Sequence, residues 1–312
     1  MPKILVKDEL DEMVEGTRVS GLVLIQNYGL QPQKNGGYYV AGYLQAKGQM
    51  PFKVWSSSSK YGDAYVKLCQ EGEYVNTICK VEGKIDKFSG TSLVIESLSM
   101  YDGDVNGIAE SDFLQDTYDV SNWWSKLEGV LEKNVSSKAF DLFKELMSSV
   151  KSDFMVEFGA ISHHDNCKGG LLAHTTKVVR IASLVKMYPE ILKRVNSDLL
   201  YLGCALHDIG KVWEYHNGGI SNEGKVLSHH TFGVMFLVNH KDVILDTMGE
   251  AFYLNLLAIV EQHHGEYEER PRTVASYVIH KLDLLDSDFT SLDSALKDSK
   301  NNQISYSGFK LN

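Results

Sequence analysis

Residues 162–211 read SHHDNCKGGLLAHTTKVVRIASLVKMYPEILKRVNSDLLYLGCALHDIGK, and this stretch decides the fold of the second half of the chain. It contains three separate histidine positions, His163 with His164, then His174, and then the adjacent pair His207 and Asp208. Only a folded helical core could bring side chains at these separations together. Imidazole nitrogens combined with a carboxylate are typical ligands of a transition metal. The stretch therefore predicts a metal site inside a helical domain.

Two helices are predicted within this stretch. Apolar residues between positions 170 and 188 recur at the three-and-four spacing of a buried helical face, and His174 lies on that face. A second helix begins with Asn196 or Ser197 as its cap and carries the His-Asp pair at the end of an apolar stripe. Polar groups that face a core are costly unless they are hydrogen-bonded, ion-paired or metal-bound.

The alternative for each residue is an ordinary one. A lone His174 on an apolar face would be a hydrogen-bonded core histidine, and a His-Asp dipeptide occurs by chance in many chains. However, none of the eleven histidines lies in residues 1–162, and most of them occur in pairs or beside a carboxylate. This clustering favours metal ligands.

The order of these motifs resembles a known family. His174, then HDIGK at 207–211, then Asp283 inside an apolar helix resembles the signature of the HD-domain metal-dependent phosphohydrolases. More narrowly, the chain resembles the YhaM family of 3′ to 5′ exoribonucleases, which carry an OB-fold in front of the HD domain. The motifs are HHDNCKGGLLAHT (163–175), LHDIGK (206–211), GKVLSHH (224–230), EQHHG (261–265) and IHKLDLLD (279–286). The match covers nearly the whole chain.

The resemblance implies a set of metal ligands. The candidates are His174, His207, Asp208, His229, His263, His264 and Asp283. The family favours His229 over its neighbour His230, and one of the two is expected to point inward while the other faces solvent. His263 and His264 have nearly equal merit. Asp286, one turn after Asp283, is expected to be a partner of a ligand or a surface residue.

These ligands also suggest the metal and the chemistry. Nitrogen and oxygen ligands suit manganese, with iron, cobalt or zinc as alternatives, better than magnesium alone. Two divalent ions that share Asp208 could hold a phosphodiester for in-line attack. Lys211 would neutralise the phosphate, although it could also be an ordinary surface lysine. His163 and His164 would face the substrate and bind phosphate or protonate the leaving oxygen.

The first hundred residues have a different pattern. Segments 17–27, 37–48, 50–55, 74–85 and 92–100 alternate apolar with polar or small residues, as half-buried strands do, and a helix is predicted at 57–70. This order predicts a five-stranded OB-type β-barrel, with a sandwich or an SH3-like barrel as alternatives. OB barrels stack bases on aromatic rings beside basic residues. The candidates are Tyr38, Tyr43, Lys53 and Trp55, although alternate aromatics in strands usually belong to the core.

The predicted architecture is therefore a multidomain α and β protein, an OB-type barrel followed by an all-α HD bundle. The boundaries are 1–100 for the OB domain, 101–121 for an acidic linker, 122–296 for the HD domain and 297–312 for a loose polar tail. Within the bundle we expect further helices at 123–134 and 136–154, one that begins at His229, one at 250–264, and one opened by Pro271.

Charge and composition restrict the partners. The formal net charge is −10, and since residues 1–100 hold 11 basic and 11 acidic residues, the acidity belongs to the second domain. That domain should attract a polyanion poorly by general electrostatics. No apolar stretch could span a bilayer, and Cys69, Cys79, Cys167 and Cys204 have no CxxC spacing. We expect a soluble, cytoplasmic protein without membrane contact; a homo-oligomer remains open.

Three functions are compatible with the sequence. The leading hypothesis is a metal-dependent 3′ to 5′ exonuclease acting on single-stranded RNA, with single-stranded DNA as a further substrate. A phosphodiesterase or nucleotidase acting on free or cyclic nucleotides is the alternative among enzymes, because the HD fold does not fix the substrate. A non-catalytic module that binds nucleic acid or nucleotides is the third. The intact ligand set argues against this third reading.

Overall fold

A computed structural model describes residues 3–34, 36–56, 62–70, 74–88, 90–101, 108–114, 118–160, 165–216, 218–265, 269–298, 304–306 and 309–311. The chain divides into two compact units. The first comprises Met1–Asp116 together with His216–Ile220, and the second comprises Thr117–Tyr215 together with Ser221–Asn312. The segment predicted as a linker is partly structured, since Phe113 is fully buried and its carbonyl accepts a hydrogen bond from the Lys47 amide.

The first unit is a five-stranded sheet of OB type. Its elements are α1 (Lys7–Glu12), β1 (Arg18–Pro32), β2 (Tyr38–Gln45), β3 (Gln49–Trp55), α2 (Gly62–Gln70), β4 (Thr77–Asp86) and β5 (Ser92–Met100). The strands pair in the circular order β1-β2-β3-β5-β4, with β3 and β5 parallel and the other pairs antiparallel. The prediction of three strands, a helix and two strands is confirmed.

Strand β1 is long enough to pair with both β2 and β4, which the circular order requires. Its first half pairs with β4, its second half pairs with β2, and the register shifts between Ile25 and Asn27. The core follows the strand alternation, as in β4, where Cys79, Val81 and Ile85 are buried between more exposed neighbours. Helix α1 was not predicted; it forms because Leu10 can be buried in this core while its acidic neighbours stay near solvent.

The second unit is helical. Its helices are α3 (Val120–Asn134), α4 (Ser137–Met147), α5 (Lys151–Val156), α6 (Gly170–Ile181), α7 (Pro189–Leu192), α8 (Ser197–Leu206), α9 (Lys211–Glu214), α10 (His229–Asn239), α11 (Lys241–Met248), α12 (Glu250–Gln262) and α13 (Val274–Asp298). This unit also contains the short strands β8 (Ile304–Tyr306) and β9 (Phe309–Leu311) and a 3₁₀ turn at Ala182–Met187. The short strand β7 (Gly219–Ile220) and the 3₁₀ turn at Glu110–Phe113 belong to the first unit, and β6 (Tyr215–His216) contains the chain position at which the division falls. Among the described helices, none combines the length and apolar character that a membrane crossing requires.

The helices that carry the predicted ligands pack closely on one another. Helix α8 begins as predicted, because the Asn196 side chain accepts a hydrogen bond from the Leu199 amide at 2.9 Å. A Cβ atom at Gly203 would lie 2.5 Å from Ile279 and 2.7 Å from Ile259. Glycine therefore allows α8 to approach α12 and α13. Each fully buried leucine or isoleucine in this core contributes about 1.5–3 kcal/mol of hydrophobic free energy.

Three local predictions in this unit were wrong. The helix expected at 136–154 is divided into α4 and α5, since the backbone leaves the helical region at Val150, which has φ −124° and ψ −4°. Helix α13 begins at Val274 and not at Pro271, since Thr273 Oγ1 accepts from the Ser276 amide as a cap. The polar tail contains an antiparallel hairpin formed by β8 and β9.

Candidate metal centre

Four predicted ligands lie around one point of the helical unit. His174 comes from the middle of α6, His207 and Asp208 follow the end of α8, and Asp283 comes from α13. His174 Nε2 lies 3.1 Å from Asp283 Oδ1, 3.2 Å from His207 Nε2 and 3.5 Å from Asp208 Oδ2. Ligand atoms bound at 2.0–2.2 Å to one ion lie about 3–3.5 Å apart, so these spacings fit a common cation.

A second group of histidines faces the other oxygen of Asp208. Oδ1 lies 3.3 Å from His263 Nε2 and 3.6 Å from His229 Nε2. His230 and His264 complete this group, and all four histidines bring a ring nitrogen within 4.8 Å of one another. The carboxylate of Asp208 thus stands between two sets of nitrogen donors.

In four histidines of the two groups, the ring nitrogen that does not face Asp208 contacts a hydrogen-bond acceptor. The contacts of Nδ1 are His174 with Asp286 Oδ2 at 2.8 Å, His207 with the Cys204 carbonyl at 2.8 Å, His229 with Glu214 Oε2 at 2.7 Å, and His263 with the Val260 carbonyl at 3.0 Å. Carbonyl and carboxylate oxygens only accept, so Nδ1 carries the proton in each ring. This arrangement directs the Nε2 lone pair towards the cluster, as in metal-binding histidines.

Several atoms of the cluster lack a hydrogen bond. Asp208 Oδ1, His229 Nε2 and His263 Nε2 are buried and have no hydrogen-bond partner among the described residues. Each buried polar atom left in this way costs about 1–3 kcal/mol. A bound cation would satisfy all three, so the donor set fits a metal centre.

Protonation in the cluster follows its charges. Burial by itself would lower the pKa of His174, but the hydrogen bonds to Asp283 and Asp286 outweigh it and raise that pKa to about 10. Burial lowers the pKa of His229 and that of His263 well below the usual value, so these two rings stay neutral. Neutral imidazole is the form that binds a metal, and at His174 a divalent ion would take the place of the proton.

We expect the metal-free protein to lose stability as the pH rises through about 10. Because the pKa of His174 is raised above its ordinary value of 6.5, its stabilising contribution is complete below pH 6.5 and is lost as the ring deprotonates near pH 10. Thermal unfolding between pH 6 and 10.5 in the presence of a chelator measures this effect. The gap in Tm between the unsubstituted protein and His174→Gln should narrow at high pH; parallel curves would contradict the assignment.

Lys211 belongs to the centre and is not a surface lysine. It is buried, and its Nζ donates to Asp208 Oδ2 and to the Gly159 carbonyl, both at 2.7 Å. Burial favours the neutral amine, but the negative charge of Asp208 outweighs it and raises the pKa of Lys211, while Lys211 in turn helps to lower the pKa of Asp208. Lys211 lines a pocket of about 210 Å³ with His264 and Tyr215.

The remaining site predictions have mixed outcomes. His163 and His164 lie outside the described residues. His229 and His230 are both buried, so the expectation that one of them faces solvent is wrong. Asp286 is buried against His174 Nδ1 and is not a surface residue. The sequence did not predict Glu214 as a partner of His229. The two residues are fifteen positions apart in the chain, and no local pattern links them.

The first unit contains a separate groove of about 870 Å³. Tyr39 and Trp55, which are directly opposite on β2 and β3, stack there with ring centroids 4.8 Å apart. Lys53 also lines the groove and pairs with Asp86 at 3.1 Å. The other lining residues include Lys34, Lys84 and the exposed Phe88.

Of the four predicted nucleic-acid-binding residues, two line this groove and two do not. Lys53 and Trp55 line it, whereas Tyr38 and Tyr43 are not among its lining residues. Tyr38 is nevertheless exposed, with 56% of its surface accessible. Tyr39 is only partly buried and alternates along β2 with Val40, which is buried in the core.

Comparison with known proteins agrees with this geometry. The family model described as HD domain matches residues 171–288, so the chain contains an HD domain. It is also a homologue of curated proteins named 3′-5′ exoribonuclease YhaM. The protein of that name from Listeria monocytogenes serotype 4b (strain CLIP80459) is 26% identical over 95% of this chain and 93% of its own length. The one from Geobacillus sp. (strain WCH70) is 28% identical over 90% of this chain and 86% of its own length.

Two solved structures were also matched. The mitochondrial single-stranded DNA binding protein Rim1 from S. cerevisiae is 11% identical, with a TM-score of 0.23, and the match covers 28% of this chain and 97% of that one. The small single-stranded DNA-binding protein from Streptomyces coelicolor is 14% identical, with a TM-score of 0.22, and the match covers 30% of this chain and 99% of that one.

Proposed function

We propose that this protein is a metal-dependent 3′ to 5′ exoribonuclease that shortens single-stranded RNA, with single-stranded DNA as a second substrate to be tested. The observation that carries the proposal is the buried cluster in which the Nε2 atoms of His174, His229 and His263 face the carboxylate of Asp208. It lies within the HD domain of a chain whose relatives are named as such enzymes over nearly its full length.

In this proposal the cluster holds two divalent ions, with manganese as the preferred metal. His174, His207, Asp208 and Asp283 would hold the first. The second would be held by Asp208 through its other oxygen together with His229, His263 and His264. Bound ions of this kind supply Lewis-acid polarisation of a phosphoryl oxygen and activation of water for attack on phosphorus.

The chain's own residues then orient the substrate. Lys211 keeps Asp208 ionised and adds a positive charge to the wall of the pocket, next to the place proposed for the scissile phosphate. His163 and His164 remain our candidates for binding that phosphate or protonating the leaving oxygen. The pocket beside the cluster has a volume of about 210 Å³.

The first unit would hold the upstream part of the strand. Its groove offers the stacked Tyr39 and Trp55 together with lysine side chains, and stacking on aromatic rings is how OB folds bind single strands without a strong sequence preference. We retain 1–100 as the OB domain, 101–121 as the linker, 122–296 as the HD domain and 297–312 as the tail. All four cysteines are free, which supports the reducing cytoplasm as the compartment.

The test compares substrate classes under one condition. With Mn²⁺ present, a 5′-labelled single-stranded RNA should shorten one nucleotide at a time from its 3′ end, so that the label stays on progressively shorter products. Blocking the 3′ end should stop the reaction. Hydrolysis of cyclic or free nucleotides without any shortening of RNA would replace the proposal with a small-molecule phosphodiesterase, and no hydrolysis of any of them would favour a binding module.

A further inference from the structure

A partly buried lysine lies next to the candidate metal centre. Lys177 is on α6, one turn after His174, and its side chain is 25% exposed. Its Nζ donates to Asp165 Oδ2 at 2.8 Å and to Thr290 Oγ1 at 2.8 Å, and it lies 3.2 Å from Asp286 Oδ2. One ammonium group thus joins two carboxylates from different parts of the unit.

The two carboxylates and His174 resemble a metal site by position alone. Asp165, His174 and Asp286 bring their ligand atoms within 4.8 Å of one another. However, the Lys177 ammonium already lies between the carboxylates, and an added metal ion would meet its charge at short range. We therefore interpret the group as an internal ion network and not as a further metal site.

Each carboxylate of the network has a separate contact. Asp286 accepts from Nδ1 of His174 at 2.8 Å and so fixes the orientation of that ring. Asp165 accepts from the Tyr118 hydroxyl at 2.6 Å, and its backbone carbonyl accepts from the Gly159 amide at 3.0 Å. Both Gly159 and Asp165 line the pocket next to the cluster. Asp165 therefore anchors one wall of that pocket.

The backbone at Asp165 packs closely against the start of α6. Asp165 has a φ of 58°, which is unusual for a residue other than glycine, and a Cβ atom at Gly170 would lie 1.9 Å from its carbonyl oxygen. Such a conformation persists only where the surroundings determine it. The contacts of the Asp165 side chain with Tyr118 and Lys177 supply that constraint.

We propose that Lys177 is a positioning residue that couples the orientation of His174, through Asp286, to the pocket wall, through Asp165. The inference rests on the proposed function, because it takes His174 as a metal ligand. Without the ammonium group the two carboxylates would repel each other, so Asp286 would leave Nδ1 and Asp165 would leave the wall. Loss of such an outer partner lowers metal affinity by about 10- to 100-fold.

The experiment uses the full-length chain and separates the two proposed effects of Lys177. One is the histidine branch, which acts on His174 through Asp286, and the other acts on the pocket wall through Asp165. Mn²⁺ affinity is measured by titration calorimetry after chelation, and kcat and KM are measured on single-stranded RNA at saturating Mn²⁺. Asp286→Asn should weaken Mn²⁺ binding by about 10-fold or more and leave KM nearly unchanged, because only the histidine branch is affected. Tyr118→Phe should raise KM and leave Mn²⁺ affinity within about threefold, because it releases only the pocket wall.

Lys177→Met should show both effects, and Lys177→Arg, which keeps the charge, should recover most of each. Lys281→Met removes an exposed lysine of α13 and is the matched control for a lost charge, with both quantities unchanged. If Lys177→Met does not fold by circular dichroism, Lys177→Gln, which keeps a donor but no charge, replaces it with the same expected directions.

The two proposals fail in different ways. Tight Mn²⁺ binding by a folded Lys177→Met or Lys177→Gln, in a protein whose unsubstituted form binds Mn²⁺ and degrades RNA, would overturn the positioning role alone. An unsubstituted protein that neither binds Mn²⁺ nor degrades RNA would overturn the proposed function. A loss of thermal stability in Lys177→Met with unchanged Mn²⁺ affinity and unchanged KM would show a structural role and also overturn the inference.

Discussion

Asp208→Asn should remove Mn²⁺ binding and RNA degradation together. Oδ2 of this residue faces His174 and His207, and Oδ1 faces His229 and His263, so one carboxylate serves both proposed ion positions. Asparagine keeps the shape but replaces one oxygen with an NH₂ group, which cannot bind a cation, and leaves the other oxygen as a neutral carbonyl, so it cannot serve both ion positions. We expect a loss in affinity beyond the roughly 10- to 100-fold that changes in outer partners cause. Elemental analysis and calorimetry measure it.

Stability must be separated from metal binding in this variant. Lys211 would lose its carboxylate partner, and removing one member of a buried ion pair costs about 3–5 kcal/mol. The double variant Asp208→Asn/Lys211→Met removes the unpaired ammonium group and should regain part of this stability while remaining unable to bind metal. A folded Asp208→Asn that retains its full content of manganese would contradict the proposed ligand set.

The sequence was sufficient for the helices that carry the first ligands. Apolar periodicity located His174 on a buried face, and a capping residue located the start of α8, because both signals depend on neighbours within one or two turns. The spacing of residues 283 and 286 was also visible. The choice of Asp283 over Asp286 as the ligand came from the family resemblance, since either position could point inward on a helix.

Other features depend on contacts that local sequence does not encode. His229 and His230 are both buried because α10 begins against the HD motif, where a Cβ at Gly210 would lie 1.8 Å from the His229 carbonyl oxygen. That approach is a property of the packed unit. The network of Lys177, Asp165 and Asp286 joins residues from α13, α6 and the segment before it, so only the folded chain brings them together.

The role of the groove in the first unit is better tested by point substitution than by deletion. Residues 216–220 belong to this unit, and the Gln26 side chain donates to the Gly218 carbonyl at 2.6 Å within it. A fragment that lacks residues 1–109 would therefore leave this segment without its buried partners. Loss of activity in such a fragment would not separate binding of the strand from damage to the fold.

Tyr39→Ala/Trp55→Ala should weaken binding of single-stranded RNA by at least about 30-fold. Base stacking contributes about 1–3 kcal/mol per base, so the loss of two platforms costs at least about 2 kcal/mol, and about 1.4 kcal/mol is a tenfold change. The two side chains are only half-buried, and the strands beneath them are held by the buried core of Val40, Phe52 and Val54. The variant should therefore remain folded. Fluorescence anisotropy with a labelled oligonucleotide measures the affinity.

Two comparisons decide where the strand binds. Tyr38→Ala/Tyr43→Ala removes two tyrosines that do not line the groove, and it should change the affinity by less than about threefold if the groove is the binding site, because no stacking platform is lost. A dinucleotide has no upstream bases to stack, so its hydrolysis should not depend on the groove. A larger loss of affinity from Tyr38→Ala/Tyr43→Ala than from Tyr39→Ala/Trp55→Ala would show that RNA binds at Tyr38 and Tyr43 and not in the groove. If Tyr39→Ala/Trp55→Ala lost hydrolytic activity equally on the dinucleotide and on the long strand, the groove residues would support the fold and would not bind RNA.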